Sequence, residues 1–263
     1  MNSIKVVCPA KINLDLRVFP KDKKTGFHNI KSIMQTISLV DFLTIKVSSG
    51  DSISLSGTSD EIPYDEKNLC YKAAKLFLET AKIKSNVEIY IEKNIPVCAG
   101  LAGGSTDAAG TIYGLNKVFD YPLSLKEIDK LLASLGSDLN FCFSGGTKLC
   151  TGRGEKMIDM PFYSFNLALI LPKNLKISAR EAYEAFDNLI TESDMRNDLE
   201  YALLKTGKYP ELEYLTSCGF QMSGSGPAYF LRDKNIDIID KNYIVINNLT
   251  SVNYGTVDIK EEN

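Results

Sequence analysis

The sequence predicts an α+β protein of two domains, and three observations support this fold class. The chain has 263 residues, more than one minimal hydrophobic core requires. Its first third alternates apolar and polar residues with the period of strands, whereas strand and helix patterns are mixed in the rest. The strand and helix patterns are interrupted at residues 157–163. We therefore predict one domain over residues 1–155 and a second over residues 156–263.

The first third is predicted to be rich in antiparallel strands. In "KINLDLRV", residues 11–18, every second residue is apolar, as in a half-buried strand. Lys11 and Asn13 therefore share one face of this strand. We interpret "TGFHNIKSI", residues 25–33, as a loop, and "MQTISLVDFLTIKVSS" and "SISLSG" after it as further strands.

Helices are predicted where apolar residues recur at helical spacing behind a polar residue. This spacing indicates a helix over residues 68–82, followed by the strand "NVEIYIE" and by a second helix after Gly104. Ser124 and Glu127 form a capping box that begins a third helix, which Gly136 ends.

The remaining elements are predicted by the same criteria. We interpret "FCFSGGTKLCTG", residues 141–152, as a hairpin with two glycines at its turn. In the second domain, Ser178 and Glu181 cap a helix. Its other predicted elements are a strand at 167–171, helices at 197–205 and 210–217, and strands near 220 and at 228–231.

The composition argues against nucleic-acid binding and membrane insertion. The net charge of -3 and the pI of about 5.4 provide no basic surface for nucleic acid. No stretch approaches the roughly 20 apolar residues that span a bilayer, and the first residues lack the apolar core of a signal peptide. We expect a cytoplasmic protein with a small-molecule partner, and its oligomeric state stays open.

The six cysteines are scattered, without a CxxC pair or a cysteine–histidine cluster. This spacing favours free thiols over disulfides or zinc ligands. The cysteines are Cys8, Cys70, Cys98, Cys142, Cys150 and Cys218.

The stretch "IPVCAGLAGGSTDAAG", residues 95–110, carries the strongest functional signal. Glycines let a ligand approach the main chain, and a helix after such a loop directs its free N–H groups at an anion. The spacing matches neither the P-loop nor the dinucleotide-binding loop. Tight packing of a helix on a sheet therefore stays open beside phosphate binding, although the hydroxyls of Ser105 and Thr106 favour phosphate binding.

Three motifs resemble those of the GHMP kinase superfamily and occur in the same order. "PVCAGLAGGSTDAA", residues 96–109, resembles its phosphate-binding motif. "PAKINLDLRV", residues 9–18, resembles its N-terminal motif, and "MSGSGPAYF", residues 222–230, its C-terminal glycine motif. The resemblance implies the two-domain GHMP kinase fold, with a ribosomal-protein-S5-domain-2-like α/β domain, a ferredoxin-like α+β domain and an active site in the cleft between them.

Within this superfamily, the chain most resembles the family of 4-diphosphocytidyl-2-C-methyl-D-erythritol kinases. The resemblance rests on "PAKINLDL", "TGFHNIKSIMQTI", "KNLCYKAA", "PVCAGLAGGSTDAA", "GSDLNFCFSGGTKLCTGRGE" and "RNDLE". The chain departs from the family pattern at Thr25, where Asp is usual, and at Asn140, where Pro is usual. The resemblance implies ATP-dependent phosphorylation of the 2-hydroxyl of the cytidine-linked sugar alcohol, in the methylerythritol phosphate route to isoprenoid precursors, with Mg²⁺ as the metal.

The resemblance also implies roles for residues at the acceptor. Lys11 is expected to stabilise the charge on the transferred phosphoryl group, and Asp138 to orient or deprotonate the acceptor hydroxyl. His28 is expected to read the edge of cytosine, and two aromatic rings to lie against its faces. The expected substrate-binding residues are Asn13, Phe27, His28 and Tyr183.

The same resemblance implies an ATP site on the glycine-rich stretch. Ser105 is the candidate side chain for Mg²⁺, whose other ligands stay open. The expected ATP-binding residues are Asn68, Lys93, Pro96, Val97, Cys98, Ala99, Gly100, Leu101, Ala102, Gly103, Gly104, Ser105 and Thr106.

Two alternative functions are retained. The first is another GHMP-type kinase for a small acceptor, such as a homoserine or mevalonate-like enzyme. His28 and Tyr183 count against it, because such an acceptor has no planar group for them to recognise. The second is a catalytically silent nucleotide-binding regulator, against which the presence of both Lys11 and Asp138 counts.

Overall fold

The computed structural model describes residues 2–189, 193–237 and 240–258 and contains two β-sheets with helices packed against them. The strands of these residues are β1 (Asn2–Lys21), β2 (His28–Ser48), β3 (Ile53–Gly57), β4 (Asn86–Glu92), β5 (Thr147–Gly152), β6 (Lys156–Asp159), β7 (Asn166–Pro172), β8 (Gln221–Met222), β9 (Tyr229–Arg232), β10 (Tyr243–Thr250) and β11 (Val257–Asp258). The helices are α1 (Leu69–Ala81), α2 (Gly103–Val118), α3 (Leu125–Leu135), α4 (Leu139–Ser144), α5 (Ala179–Asp187), α6 (Asp198–Lys205) and α7 (Pro210–Ser217).

The larger sheet is built around a long antiparallel hairpin of β1 and β2. Its strands follow the order β11-β1-β2-β4-β3, and β5 and β6 extend it from the other half of β2. β4 pairs with residues 42–48 of β2, and β5 pairs with residues 30–35. The predicted antiparallel start of the chain is confirmed for β1, β2 and β4, whereas β3 runs parallel to β4.

The predicted loop at residues 25–33 is wrong in its second part. β2 already begins at His28, because residues 30–35 pair with β1 on one side and with β5 on the other. The turn itself is short, and Asp22 Oδ1 accepts the N–H groups of Lys24 (2.7 Å) and Thr25 (3.0 Å) within it.

The predicted helices of the first half are confirmed, including their caps. Asn68 caps α1, and its side chain accepts the N–H of Cys70. Ser124 and Glu127 form the complete capping box of α3, and Gly136 follows its last residue. Helices α1 and α2 pack together on the larger sheet, where their apolar faces join the strands in one buried cluster.

The stretch 141–152 is a helix followed by a strand, so the predicted hairpin is wrong. The short helix α4 places Leu139, Phe141 and Cys142 in the core, where each is at most 1% exposed. This burial outweighs the local turn signal of the two glycines. The hairpin is formed instead by β5 and β6.

The second sheet has the order β10-β7-β9-β8 and is antiparallel, with α5, α6 and α7 in the same half of the chain. The helices and the three strands predicted there are confirmed. A buried apolar cluster joins the two sheets, with members that include Ile12, Ile95, Leu101, Leu169 and Phe230. β6 and β11 both follow residue 155 but pair within the larger sheet, so the chain returns to this sheet after the predicted boundary. The domain boundary stays a prediction.

Two further observations concern the chain as a whole. The thiols of all six cysteines are free, as predicted, and Cys98 and Cys218 are exposed. None of the helices in the described part of the chain has the length and hydropathy needed to cross a bilayer.

Candidate active site

A cleft of about 700 Å³ is lined by residues from both halves of the chain. Most of the predicted site residues line it, namely Lys11, Asn13, Asn68, Lys93, Pro96, Val97, Cys98, Ala99, Gly100, Ala102, Gly103, Gly104, Ser105, Asp138 and Tyr183. Four predicted residues do not belong to this lining, namely Phe27, His28, Leu101 and Thr106. The structure therefore brings the predicted catalytic pair and the glycine-rich stretch into one cavity.

The glycine-rich loop, residues 96–102, leads from β4 into α2. Ala102 is the N-cap residue, and the first helical hydrogen bond runs from Thr106 N to Ala102 O (2.9 Å). The N–H groups of the three residues before Thr106 therefore have no helical acceptor. A Cβ atom at Gly104 would meet nothing within 4 Å. The start of α2 is thus open to an anion such as a phosphate.

Ser105 and Thr106 differ in their positions relative to the cleft. Ser105 is half-buried and lines the cleft. Thr106 is 0% exposed, and its Oγ1 has no hydrogen-bond partner among the described residues. A contact between the Thr106 hydroxyl and ATP stays a prediction, and its burial does not support it.

The serine–glycine loop, residues 223–226, lies against the glycine-rich loop. Ser223 Oγ donates to Gly100 O (3.1 Å) and accepts the N–H of Asn13 (3.3 Å). A Cβ atom at Gly100 would lie 2.2 Å from Ser223 O, and the φ of Gly100 is +74°, so this close approach requires glycine. Two glycine motifs that are far apart in the sequence therefore meet at the cleft.

Lys11 and Asp138 meet beside these loops. Lys11 Nζ donates to Asn13 Oδ1 (2.7 Å) and to Gly100 O (2.9 Å), and it lies 3.9 Å from Asp138 Oδ2. β1 places Lys11 and Asn13 on the same face, as predicted. Asp138 directly precedes α4, and its side chain makes no capping hydrogen bond. Its carboxylate is therefore available to accept a proton from a ligand.

A buried ion cluster, Asp41–Lys93–Asp107, lies at the base of the glycine-rich loop. Lys93 Nζ is paired with Asp41 and lies 3.0 Å from Asp107 Oδ2. Asp41 Oδ1 also accepts the N–H groups of Asn94 (2.5 Å) and Ile95 (2.8 Å). The cluster therefore ties the segment before the loop to the helix after it.

Burial changes the protonation of this cluster. Desolvation raises the pKa of Asp107 to about 8, a rise that Lys93 opposes and Asp41 reinforces. Desolvation lowers the pKa of Lys93, but the two carboxylates outweigh it, so that the pKa of Lys93 is raised. Lys93 stays charged, and the cluster carries less negative charge than two fully ionised carboxylates would give it.

The sequence predictions do not include Asp41 or Asp107 as site residues. A signal for Asp41 was present, because a single carboxylate in the apolar strand "SLVDFL" requires a partner when the strand is buried. Its partner could not be inferred, since Lys93 lies 52 residues further along the chain.

Asn68 and Lys93 were both predicted to contact adenine. Both line the cleft, but their polar atoms are engaged within the protein. Asn68 Oδ1 accepts the N–H of Cys70 (2.8 Å), and Asn68 Nδ2 donates to Pro63 O (2.7 Å). Contacts with adenine stay a prediction for both residues.

His28 is buried and stacks on Tyr183, with ring centroids 5.1 Å apart and an interplanar angle of 27°. Its Nδ1 lies 2.7 Å from Phe19 O. Because a carbonyl oxygen only accepts, Nδ1 carries a proton and donates to Phe19 O. Nε2 lies 3.2 Å from Asp187 Oδ1 but forms no hydrogen bond among the described residues.

Phe27 is 54% exposed, and the guanidinium group of Arg153 lies 5.0 Å from the centre of its ring. Arg153 lines the cleft, and its Nη2 donates to Ala133 O (3.2 Å). The cation–π contact thus connects Phe27 to the cleft. Arg153 was not among the predicted site residues, although it lies in the quoted stretch "TGRGE".

The donor set at the start of α2 determines which metal could be held there. The described residues contain no group of three or more histidine, cysteine, aspartate or glutamate side chains that could hold a metal ion. The Ser105 hydroxyl and the open start of α2 instead fit Mg²⁺ that is held mainly by phosphate oxygens and water.

Comparisons with known proteins agree with this geometry. The family model "GHMP kinases N terminal domain" matches residues 68–146. The chain is 37% identical over 253 residues to a 4-diphosphocytidyl-2-C-methyl-D-erythritol kinase of Clostridium beijerinckii, which covers 86% of this chain and 90% of that protein.

Solved structures agree as well. A crystal structure of 4-(cytidine 5'-diphospho)-2C-methyl-D-erythritol kinase is 28% identical, with a TM-score of 0.71, over 86% of this chain and 89% of that chain. A homoserine kinase from Cytophaga hutchinsonii matches with a TM-score of 0.74 at 17% identity, over 98% of each chain, which shows the fold alone. The predicted α+β GHMP kinase fold is confirmed.

Proposed function

Because the chain belongs to the family of 4-diphosphocytidyl-2-C-methyl-D-erythritol kinases, we propose that it transfers the γ-phosphoryl group of ATP to the 2-hydroxyl of 4-diphosphocytidyl-2-C-methyl-D-erythritol. This reaction belongs to the methylerythritol phosphate route to isoprenoid precursors. One observation carries the proposal: Lys11 Nζ lies 2.9 Å from Gly100 O of the glycine-rich loop and 3.9 Å from Asp138 Oδ2.

The chemistry follows from these positions. Phosphoryl transfer requires mainly the alignment of donor and acceptor and the neutralisation of charge. Lys11 stabilises the negative charge of the transferred group, and the open N–H groups at the start of α2 bind the donor phosphates. Asp138 orients the acceptor hydroxyl and accepts its proton late in the transfer, since the pKa of an alcohol lies far above that of a carboxylate.

The acceptor is held by its cytidine and by its sugar alcohol. His28 Nε2 is the ring nitrogen that is not bonded to Phe19 O, and we assign it to the edge of cytosine. Phe27 and Tyr183 provide ring faces for the base, and such stacking contributes about 1 to 3 kcal/mol per base. The ring of Tyr183 must move away from that of His28 before the base can bind between them, because the two rings are stacked on each other. Asn13 lies beside Lys11 and suits a hydroxyl of the sugar alcohol.

At the donor end, Ser105 Oγ is the protein group that would reach Mg²⁺. The ion would supply charge neutralisation between the phosphates. The residues of the glycine-rich loop act through their main chain. Asn68 lies at the start of α1, and we assign adenine binding to this end of the cleft.

The acceptor specificity tests the proposal. ADP release is measured with four acceptors: the cytidine-linked substrate, 2-C-methyl-D-erythritol 4-phosphate, mevalonate and homoserine. We expect turnover with the first, and much weaker turnover with the second, because it lacks the base that His28, Phe27 and Tyr183 hold. Turnover with mevalonate or homoserine alone would replace this proposal with the corresponding kinase.

A substitution of Asp138 tests its role. Asp138→Ala is expected to lower kcat by on the order of 10² or more, because the acceptor hydroxyl loses its proton acceptor. ATP binding should be retained, as titration with a fluorescent ATP analogue would show. Asp159→Ala, which removes an 85% exposed carboxylate outside the cleft, is the control and should leave kcat unchanged. An unchanged kcat in Asp138→Ala would remove this residue from the mechanism.

A further inference from the structure

The start of α6 carries the motif "RNDLE", for which the proposed chemistry has no role. Asn197 is 0% exposed, and its Oδ1 accepts the N–H groups of Leu199 (3.0 Å) and Glu200 (3.3 Å), which caps the helix. Its Nδ2 donates to Met222 O (3.0 Å) and Gly224 O (2.9 Å). One carboxamide therefore joins the start of α6 to the serine–glycine loop.

The serine–glycine loop in turn limits where the catalytic groups can lie. Ser223 contacts Gly100 and Asn13 through its hydroxyl. A Cβ atom at Gly224 would lie 3.0 Å from Gly100 O and 3.1 Å from Lys11 Nζ. A shift of this loop by about one ångström would therefore move the glycine-rich loop or the ammonium group of Lys11.

The same helix start also holds β1, the strand that carries Lys11. Leu16 N donates to Arg196 O (2.8 Å), and Val18 N donates to Asp198 Oδ2 (2.8 Å). Glu200 Oε2 accepts the N–H of Met222 (3.1 Å), at the entrance of the serine–glycine loop. The strand with the catalytic lysine and the loop that faces it are thus fixed to one set of polar groups at the start of α6.

We infer that Asn197 is a positioning residue for phosphoryl transfer, which holds the serine–glycine loop against Gly100 and Lys11. The inference rests on the proposed function for its effect on turnover. Misplacement by about one ångström can lower a rate by about 10². Loss of the two amide contacts should therefore lower kcat and raise KM for ATP. KM for the cytidine substrate should change much less, because these contacts involve Asn13 at the sugar alcohol but none of His28, Phe27 and Tyr183, which hold the base.

Two variants separate this role from a purely structural one. Asn197→Asp keeps the capping oxygen and places a second oxygen against two carbonyl groups. Asn197→Ser keeps a good N-cap residue but is too short to reach Met222 O and Gly224 O, so it guards against a failure of the Asp variant to fold. We expect kcat/KM for ATP to fall by about 10-fold to 10²-fold in both, with KM for the cytidine substrate changed less than about two-fold.

Asn116→Asp is the matched control. Asn116 is 6% exposed, and its carboxamide also bonds main-chain groups, donating to Leu123 O (3.3 Å) and accepting from Leu123 N (3.0 Å). It lies about 18 Å from Gly104 along the axis of α2. At a temperature where all variants are folded, its kinetics should match those of the unmodified chain.

Wild-type values of kcat and KM in Asn197→Ser would overturn the inference, as would the same kinetic loss in Asn116→Asp. Binding of a fluorescent ATP analogue separates this outcome from a failure of the proposed function. If the cytidine substrate is not turned over at all, Asn197→Ser must still weaken binding of the analogue, whereas Asn116→Asp must not. Equal affinities of the unmodified chain, Asn197→Ser and Asn116→Asp for the ATP analogue would overturn the inference, whichever acceptor the protein uses.

Discussion

Two loops meet at Gly100, and they are held in place by different forces. The glycine-rich loop is anchored by the buried ion pair of Asp41 and Lys93, with the carboxyl group of Asp107 beside it, and all three side chains are almost completely buried. The serine–glycine loop is anchored by uncharged donors, the hydroxyl of Ser223 and the carboxamide of Asn197. Both loops face the same cleft, so burial alone does not explain why one anchor is charged and the other is uncharged.

The two kinds of anchor predict different responses of the loops to substitution of the anchoring residues. A buried charge that loses its partner is neither paired nor solvated by water, so the full desolvation penalty of that charge destabilises the fold. A neutral hydrogen bond contributes less, and the groups it leaves behind can be partly satisfied elsewhere. The glycine-rich loop, to which we assign phosphate binding, is thus the loop whose anchor tolerates the least change.

Removal of Asp41 should give the largest effect on stability. Asp41→Ala deletes the partner of Lys93 and the acceptor of two N–H groups at the entrance of the glycine-rich loop. We expect the free energy of unfolding to fall by about 3 to 5 kcal/mol, measured by urea denaturation at pH 7.

The control for this variant is Glu92→Ala, which breaks the exposed pair between Glu92 and Lys5 on the same sheet. Its loss should stay below about 1 kcal/mol. Equal losses in Asp41→Ala and Glu92→Ala would mean that the buried cluster is not the anchor of the loop.

Removal of the Ser223 hydroxyl should give an intermediate effect. Ser223→Ala leaves Asn13 N without its acceptor, whereas Gly100 O keeps the hydrogen bond from Lys11. We expect a loss of about 2 kcal/mol in the free energy of unfolding, from the same denaturation experiment. A loss as large as that of Asp41→Ala would erase the proposed contrast between charged and neutral anchors.

The smallest effect concerns Glu200, a carboxylate that bonds directly to the entrance of the serine–glycine loop. Desolvation raises the pKa of Glu200 above its ordinary value of 4.5. The folded chain therefore holds this proton more tightly than the unfolded chain does. The stability that results is present below about pH 4.5 and is lost as the pH rises through the raised pKa.

Glu200→Gln removes this titration and keeps the shape of the side chain. As the pH rises from 4.5 through the raised pKa of Glu200, the free energy of unfolding of the unmodified chain should fall relative to that of the variant. Urea denaturation at several pH values measures the difference. A difference that does not depend on pH would show that Glu200 has the same pKa in both states.

Much of the fold could be read from local patterns. The caps at Asn68 and Ser124 and the alternation of residues 11–18 involve neighbours within a few residues, and each predicted the correct element. The prediction failed at residues 141–144, where burial in the core decided for a helix although the following glycines indicate a turn. It failed again at His28, which belongs to a strand that has partners on both sides.

The sequence by itself determined the family, the glycine-rich loop before α2, and the shared face of Lys11 and Asn13, because motif order and strand period are local properties of the chain. Only the tertiary structure decided which polar groups meet. Asp41 joins Lys93 across 52 residues, and Asn197 reaches Gly224 across 27. The physical reason is that a buried polar group must find its partner in space, and the packing of the two sheets, not distance along the chain, determines which partner is near.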